Sequence, residues 1–164
     1  MKKFALLSLL LITFDAHAAV NVLGRLGVGF TNQMANEVES ISFKIQRSRS
    51  SALGVILGFQ SRDGETSYGL GVKLYRNIYE EPNLRFYMAG MLASLSQIVT
   101  VNGNPETQSG MQIDGTFGTE FHINSIESLG FSMEFGISTN TLGNDTTIET
   151  IGDGFIKAAL HFYL

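Results

Sequence analysis

From residue 20 to residue 164, apolar side chains recur at every second position, in runs separated by clusters of Asn, Asp, Gly, Ser, Glu and Pro. A repeat of two is the period of a β-strand, whose successive side chains point to opposite faces. The pattern predicts eight strands, at roughly 20–31, 39–47, 52–61, 66–77, 83–98, 110–123, 129–140 and 154–164. In the first, Val20, Val22, Leu26, Val28 and Phe30 share a face opposite Asn21, Arg25, Gly27 and Gly29. The sixth is the cleanest, with Met111, Ile113, Phe117, Phe121 and Ile123 against Gln112, Asp114, Thr116, Glu120 and His122. The fifth becomes apolar on both faces beyond Met88, which leaves the register of 83–98 open. In the last, Ile156, Ala158, Leu160, Phe162 and Leu164 alternate with Lys157, Ala159, His161 and Tyr163.

Strands joined in chain order make a meander, and an even number of them can close into a barrel with no free edge. Alternation does not decide which face is wet, because soluble barrels alternate too, with the apolar side inward. Four features favour the opposite arrangement. The links after odd strands, near 32–38, 62–65, 99–109 and 141–153, are mostly longer than those after even strands, near 48–51, 78–82 and 124–128. Long outer loops and short inner turns belong to outer-membrane barrels. On the apolar face, Phe30, Phe43, Phe59 and Tyr68 would form an outer aromatic belt, and Phe86, Phe121, Phe131 and Phe162 an inner one. The polar face interleaves glycines with long charged residues, the mixture that fills a narrow lumen. Finally, the apolar face of the eight runs carries no Lys, Arg, Asp or Glu. The expectation is an all-β, eight-stranded antiparallel up-and-down transmembrane β-barrel, with apolar side chains in lipid and charges inside.

Residues 1–18, MKKFALLSLLLITFDAHA, have the form of a cleaved signal peptide: Lys2 and Lys3, an apolar stretch from Phe4 to Phe14, and the small residues Ala16 and Ala18 around His17. That leaves 19–164 as a single barrel domain, with nine basic against fourteen acidic side chains and no Cys. An exported chain without Cys carries no disulfide or thiolate metal site. An acidic balance offers no basic stripe for nucleic acid. No phosphate loop, zinc helix or GxSxG elbow appears in the sequence.

The stretches PNLRFYMAG (82–90) and GTFGTEFHINSIESLGFSMEFGIS (115–138), with the last strand, resemble the small outer-membrane β-barrel superfamily of OmpX, OmpW and the OmpA transmembrane domain. The resemblance implies a Gram-negative outer-membrane location and a porin-like architecture. It also implies that Gly154, Ile156, Ala158, Leu160, Phe162 and Leu164 form the signal read by the barrel-assembly machinery, with Leu164 where the family usually has Phe or Trp. Relatives include anchors, adhesins, solute conduits and lipid-modifying enzymes.

The polar face places Arg25, Lys44, Lys73, Arg85 and Lys157 inside with Asp114, Glu120 and Glu134. Unpaired charge in a narrow lumen is costly, so these eight side chains are expected to pair into a plug. The runner-up is a narrow conduit for a small solute or ion, favouring anions because the eight charges sum to +2. Lipid-modifying chemistry ranks third, since His122 and His161 map to the inner ends of their strands, far from the outer leaflet. Glu120, His122 and His161 share one depth, yet a hydrogen-bonded interior pair is expected there rather than a metal site, and no cofactor is implied. The outer links hold Glu37, Glu39, Asp63, Glu65, Glu106, Asp145, Glu149 and Asp153 against Arg62 alone. Such a surface suits a basic extracellular partner, or divalent cations that bridge lipopolysaccharide phosphates. The stretch NDTTIET (144–150) offers a strand edge above the membrane. Together these features point to a non-enzymatic barrel with a structural or adhesin-like role.

Overall fold

A computed structural model of the chain describes residues 20–62, 65–101, 104–123, 125–143, 146–150 and 156–164. The leader assigned to 1–18 lies outside them. Among the described residues nine strands form: β1 (Leu26–Thr31), β2 (Ser40–Ser48), β3 (Ser51–Arg62), β4 (Glu65–Glu81), β5 (Leu84–Val101), β6 (Asn104–Ile123), β7 (Ile126–Asn140), β8 (Thr147–Thr150) and β9 (Lys157–Tyr163). Each strand from β1 to β7 pairs antiparallel with its neighbours in sequence. The ring closes through β9, which pairs with β7 on one side and β1 on the other. β8 pairs with the outer part of β7, above the segment that β9 occupies, so β8 and β9 are two pieces of one stave. The result is a closed eight-stranded up-and-down barrel, as the alternation predicts.

The wall is apolar outside and polar inside. Leu74 is 64% exposed and Ile137 60%, whereas Lys73, beside Leu74 in sequence, is 1% exposed. β5 and β6 pair without a register shift from Leu84↔Phe121 to Val101↔Asn104, which settles the register left open by the sequence. Arg85, Tyr87, Ala89, Met91, Ala93 and Leu95 turn inward, and Phe86, Met88 and Leu92 outward. The same ladder extends both strands through most of the link expected at 99–109, making a hairpin of it.

Three other expectations are corrected. Val20 and Val22 are not on the outer wall: they are buried against Tyr163 under the inner mouth, and β1 begins only at Leu26. Val20 donates its N–H to the Pro82 carbonyl and accepts from Arg85, which ties the segment to the β4–β5 turn and draws it across the opening. Phe30 does not belong to an outer belt, because it and Phe131 flank the same residue, Leu160, in one row of the wall. Third, the link at 32–39 does not stand out in solvent. Gln33, Met34, Asn36 and Val38 are buried inside the barrel, and Met34 packs on Ile56, Met91, Ala93 and Leu95.

Closure depends on one close approach. A Cβ at Gly29 of β1 would lie 1.7 Å from the Leu160 carbonyl oxygen of β9, so no side chain fits in that seam. Gly29→Ala is therefore expected to lower the fraction of protein that runs as the compact, heat-modifiable band in unheated gels. Gly115→Ala, where a Cβ meets nothing within 4 Å, serves as the control that keeps the folded band. Equal folded fractions for the two variants would contradict the seam.

Candidate functional site: the polar lumen and its internal cap

Period-two alternation turns the charges of β2, β4, β5, β6 and β7 into one enclosed space. Among the described residues, the buried charges are Lys44, Lys73 and Arg85 against Asp114, Glu120 and Glu134, three of each sign. Lys44 Nζ lies 3.0 Å from Glu120 Oε2, and the other carboxylate oxygen accepts from the Tyr163 hydroxyl at 2.6 Å. Lys73 pairs with Glu134, whose Oε1 accepts from the Tyr87 hydroxyl at 2.8 Å. The Lys44 ammonium also lies 4.6 Å from the centre of the Tyr75 ring and 5.1 Å from that of Tyr87, where the ring faces attract a cation. Arg85 pairs with Glu80 at 2.7 Å near the inner mouth. Burying an ion pair is tolerable only when its remaining donors and acceptors are also met, and at the Lys44–Glu120 and Lys73–Glu134 pairs tyrosine hydroxyls and the Gln33 amide contribute to this.

The cap at 32–39 supplies the amides. Gln33 Oε1 accepts from Lys73 Nζ at 2.6 Å, while Gln33 Nε2 donates to Asp114 at 3.3 Å and to Glu134 at 3.4 Å. Gln112 Nε2 donates to the Gln33 carbonyl at 3.0 Å and to Asp114, and its Oε1 accepts the Ala35 N–H at 2.8 Å. Asn36 Nδ2 reaches the carbonyls of Tyr68 at 3.0 Å and Ser96 at 3.1 Å. The segment is thus sewn to β4, β5, β6 and β7, with its acids Glu37 and Glu39 left exposed.

Two of the eight side chains expected inside stand apart. Arg25 is only half-buried and holds the chain end, donating to the carbonyls of Tyr163 at 2.6 Å and Leu164 at 3.3 Å and to Ser128 Oγ at 3.1 Å. Lys157 is opposite Glu134 in register, yet it makes no ion pair with a described residue. Without these two the buried charges sum to zero, which removes the basis for anion preference. Neither Gln33 nor Tyr163 figures among the sequence candidates. The tyrosines carry a signal, since Tyr75, Tyr87 and Tyr163 sit at inward positions; Gln33 carries none, because it lies in a link. Of the residues assigned to assembly, Ile156, Ala158, Leu160, Phe162 and Leu164 are exposed on the outer wall, and Gly154 lies outside the described residues.

Among the described residues, His122 and His161 are both buried and held by polar partners. His161 Nε2 is 2.8 Å from Ser42 Oγ, the spacing of a base and a nucleophile. Its Nδ1, however, has no hydrogen-bond partner among the described residues, and Ser42 and His161 are each 2% exposed. His122 Nδ1 lies 3.1 Å from the Glu127 carbonyl, and its Nε2 is 3.9 Å from Glu120. Among the described residues no three His, Asp or Glu side chains are grouped to hold a metal ion.

At the outer end, all four residues of β8 are exposed, and its described hydrogen bonds to other strands run to β7 alone. Glu65, Glu106 and Glu149 are exposed near this end, while Asp63, Asp145 and Asp153 fall outside the described residues. Among solved structures, the fold is similar to the crystal structure of the N-terminal β-barrel domain of Pseudomonas aeruginosa OprF, with a TM-score of 0.60 over 87% of this chain and 98% of that one. Sequence identity is 10%, so the likeness is one of fold. No family model and no curated sequence matches the chain.

Proposed function

We propose that the protein is a Gram-negative outer-membrane barrel whose lumen is closed from within, and that its work is structural and at the cell surface. The observation that carries this reading is Gln33, one side chain of an inward-folded link that meets Lys73, Asp114 and Glu134 together. A segment that joins a buried ion pair to a further buried carboxylate acts as a stopper rather than a lining. The outward apolar wall favours lipid around it, with lipopolysaccharide at the outer rim and the barrel-assembly machinery as the partner during insertion. The exposed edge of β8 and the acidic outer residues suit a surface partner, either basic or bridged by divalent cations.

A narrow conduit is the second reading, favoured by buried polar atoms without a hydrogen-bond partner among the described residues, among them Ser132 Oγ and Arg85 Nη1. Planar-bilayer recording separates the two. The intact barrel is expected to give no sustained current steps, and a variant lacking residues 33–38 is expected to give them. Reproducible steps from the intact barrel would sink the stopper.

A further inference from the structure

Two buried side chains at the inner mouth each keep one polar atom unmet among the described residues, and both line the same recess. Arg85 is 6% exposed; its Nε donates to Glu80 Oε1 at 2.7 Å and its Nη2 to the Val20 carbonyl, while Nη1 donates to nothing. Gln46 is 2% exposed; its Nε2 donates to the Ser48 carbonyl at 2.6 Å, while Oε1 accepts nothing. Their other bonds hold both groups in place. A buried donor or acceptor left unmet is costly, so a fixed pair of them in one recess points to something outside the chain that supplies the partners.

The recess has a volume of about 410 Å³ and lies between the segment that begins at Val20, the β2–β3 turn and the inner end of β4. That is the small end of the range for ligand pockets, roughly 300–1,000 Å³. Val20 and Leu23 give it an apolar side. Arg49, from the turn, is exposed and makes no ion pair with a described residue. Glu80 faces the same space, and Arg85 takes only one of its carboxylate oxygens. The charges are therefore two guanidinium groups and one carboxylate. A phosphate would meet Glu80, and a simple cation would meet both arginines. A zwitterion finds a counter-charge for each of its ends.

We propose that this recess binds a small α-amino acid with an apolar side chain. Its carboxylate would take Arg85 Nη1 and Arg49, its ammonium Gln46 Oε1 and Glu80, and its side chain the Val20 and Leu23 wall. A carboxylate on a guanidinium forms the stronger, charge-assisted kind of hydrogen bond. Ordered water is the competing occupant, since it could serve both unmet atoms. Water leaves the apolar side and the unpaired Arg49 without a role. The recess lies at the end of the barrel opposite the Gln33 cap, so the site stands whether or not the cap is a stopper.

Isothermal titration calorimetry of the folded, detergent-solubilised barrel with L-leucine tests it. Isocaproate, which lacks the ammonium, and isoamylamine, which lacks the carboxylate, serve as probes of the two ends. Leucine is expected to bind at one site, and each truncated probe about tenfold more weakly, the loss that goes with one charged hydrogen bond. Arg49→Gln should weaken leucine and isocaproate about tenfold and leave isoamylamine unchanged. Glu80→Gln should weaken leucine and isoamylamine and leave isocaproate unchanged. Arg49 holds Asn77 through its carbonyl, which the substitution keeps, so that variant is expected to retain the compact band in unheated gels. No saturable heat with leucine, leucine binding unaltered in both variants, or isocaproate binding as tightly as leucine would each overturn the proposal. The first of these results would leave water as the occupant, and none of them bears on the bilayer recordings that test the stopper.

Discussion

Glu134→Ala is expected to destabilise the barrel by about 3–5 kcal/mol, because it strands a buried ammonium rather than deleting a surface contact. Lys73 would keep Gln33 Oε1 as an acceptor and lose its counter-ion, and the Tyr87 hydroxyl and Gln33 amide would each lose an oxygen. Urea unfolding of the refolded barrel in vesicles measures the effect. Removing both charges with Lys73→Met and Glu134→Leu should recover a large part of the loss, since an apolar pair leaves no orphaned charge behind. If the single and double variants unfold alike, the pair is not the source of the effect. If Glu134→Ala unfolds like the parent, water reaches the cluster and the closed lumen is wrong.

Ile113→Arg is the second large effect, and it acts on the opposite face of the same wall. Ile113 is 59% exposed, so by its contacts within the chain the substitution would be nearly neutral. In a bilayer, an arginine on the lipid face costs roughly 2–4 kcal/mol near the midplane. The neighbour at 112 shows how sharply the faces differ: Gln112 is buried and makes hydrogen bonds to Gln33, Ala35 and Asp114. Unfolding in vesicles should therefore register Ile113→Arg strongly, while the same substitution at Glu106, in the exposed outer hairpin, should register little. Equal stability of the two would mean that position 113 is in water.

Alternation made most of the wall legible. Each residue on β4, β6 and β7 has a parity, parity sets its face, and the ladders keep that parity except at shifts such as Asn77/Tyr79. Lys44, Lys73, Asp114, Glu120 and Glu134 follow from it directly. The misses are of a different kind. Val20 and Val22 alternate like a strand but lack a neighbour to pair with, and burial against Tyr163 wins over pairing. The link at 32–39 has no period, so its inward turn depends on amides that find partners on β4, β5, β6 and β7, contacts between residues far apart in sequence. Arg25 has the right parity and is diverted by the free carbonyls of Tyr163 and Leu164. Parity reads walls well, and it is silent about what closes the ends.

The chain has no Cys, so single cysteines along β6 can be labelled with nitroxides without background. Labels at 111, 113, 117 and 121, all on the outward face, report collisions with oxygen and with a water-soluble nickel reagent in reconstituted vesicles. Greasy surroundings predict high oxygen and low nickel accessibility at 113 and 117, with nickel rising only toward the ends. High nickel accessibility at 113 and 117 would place that face in water and contradict the account.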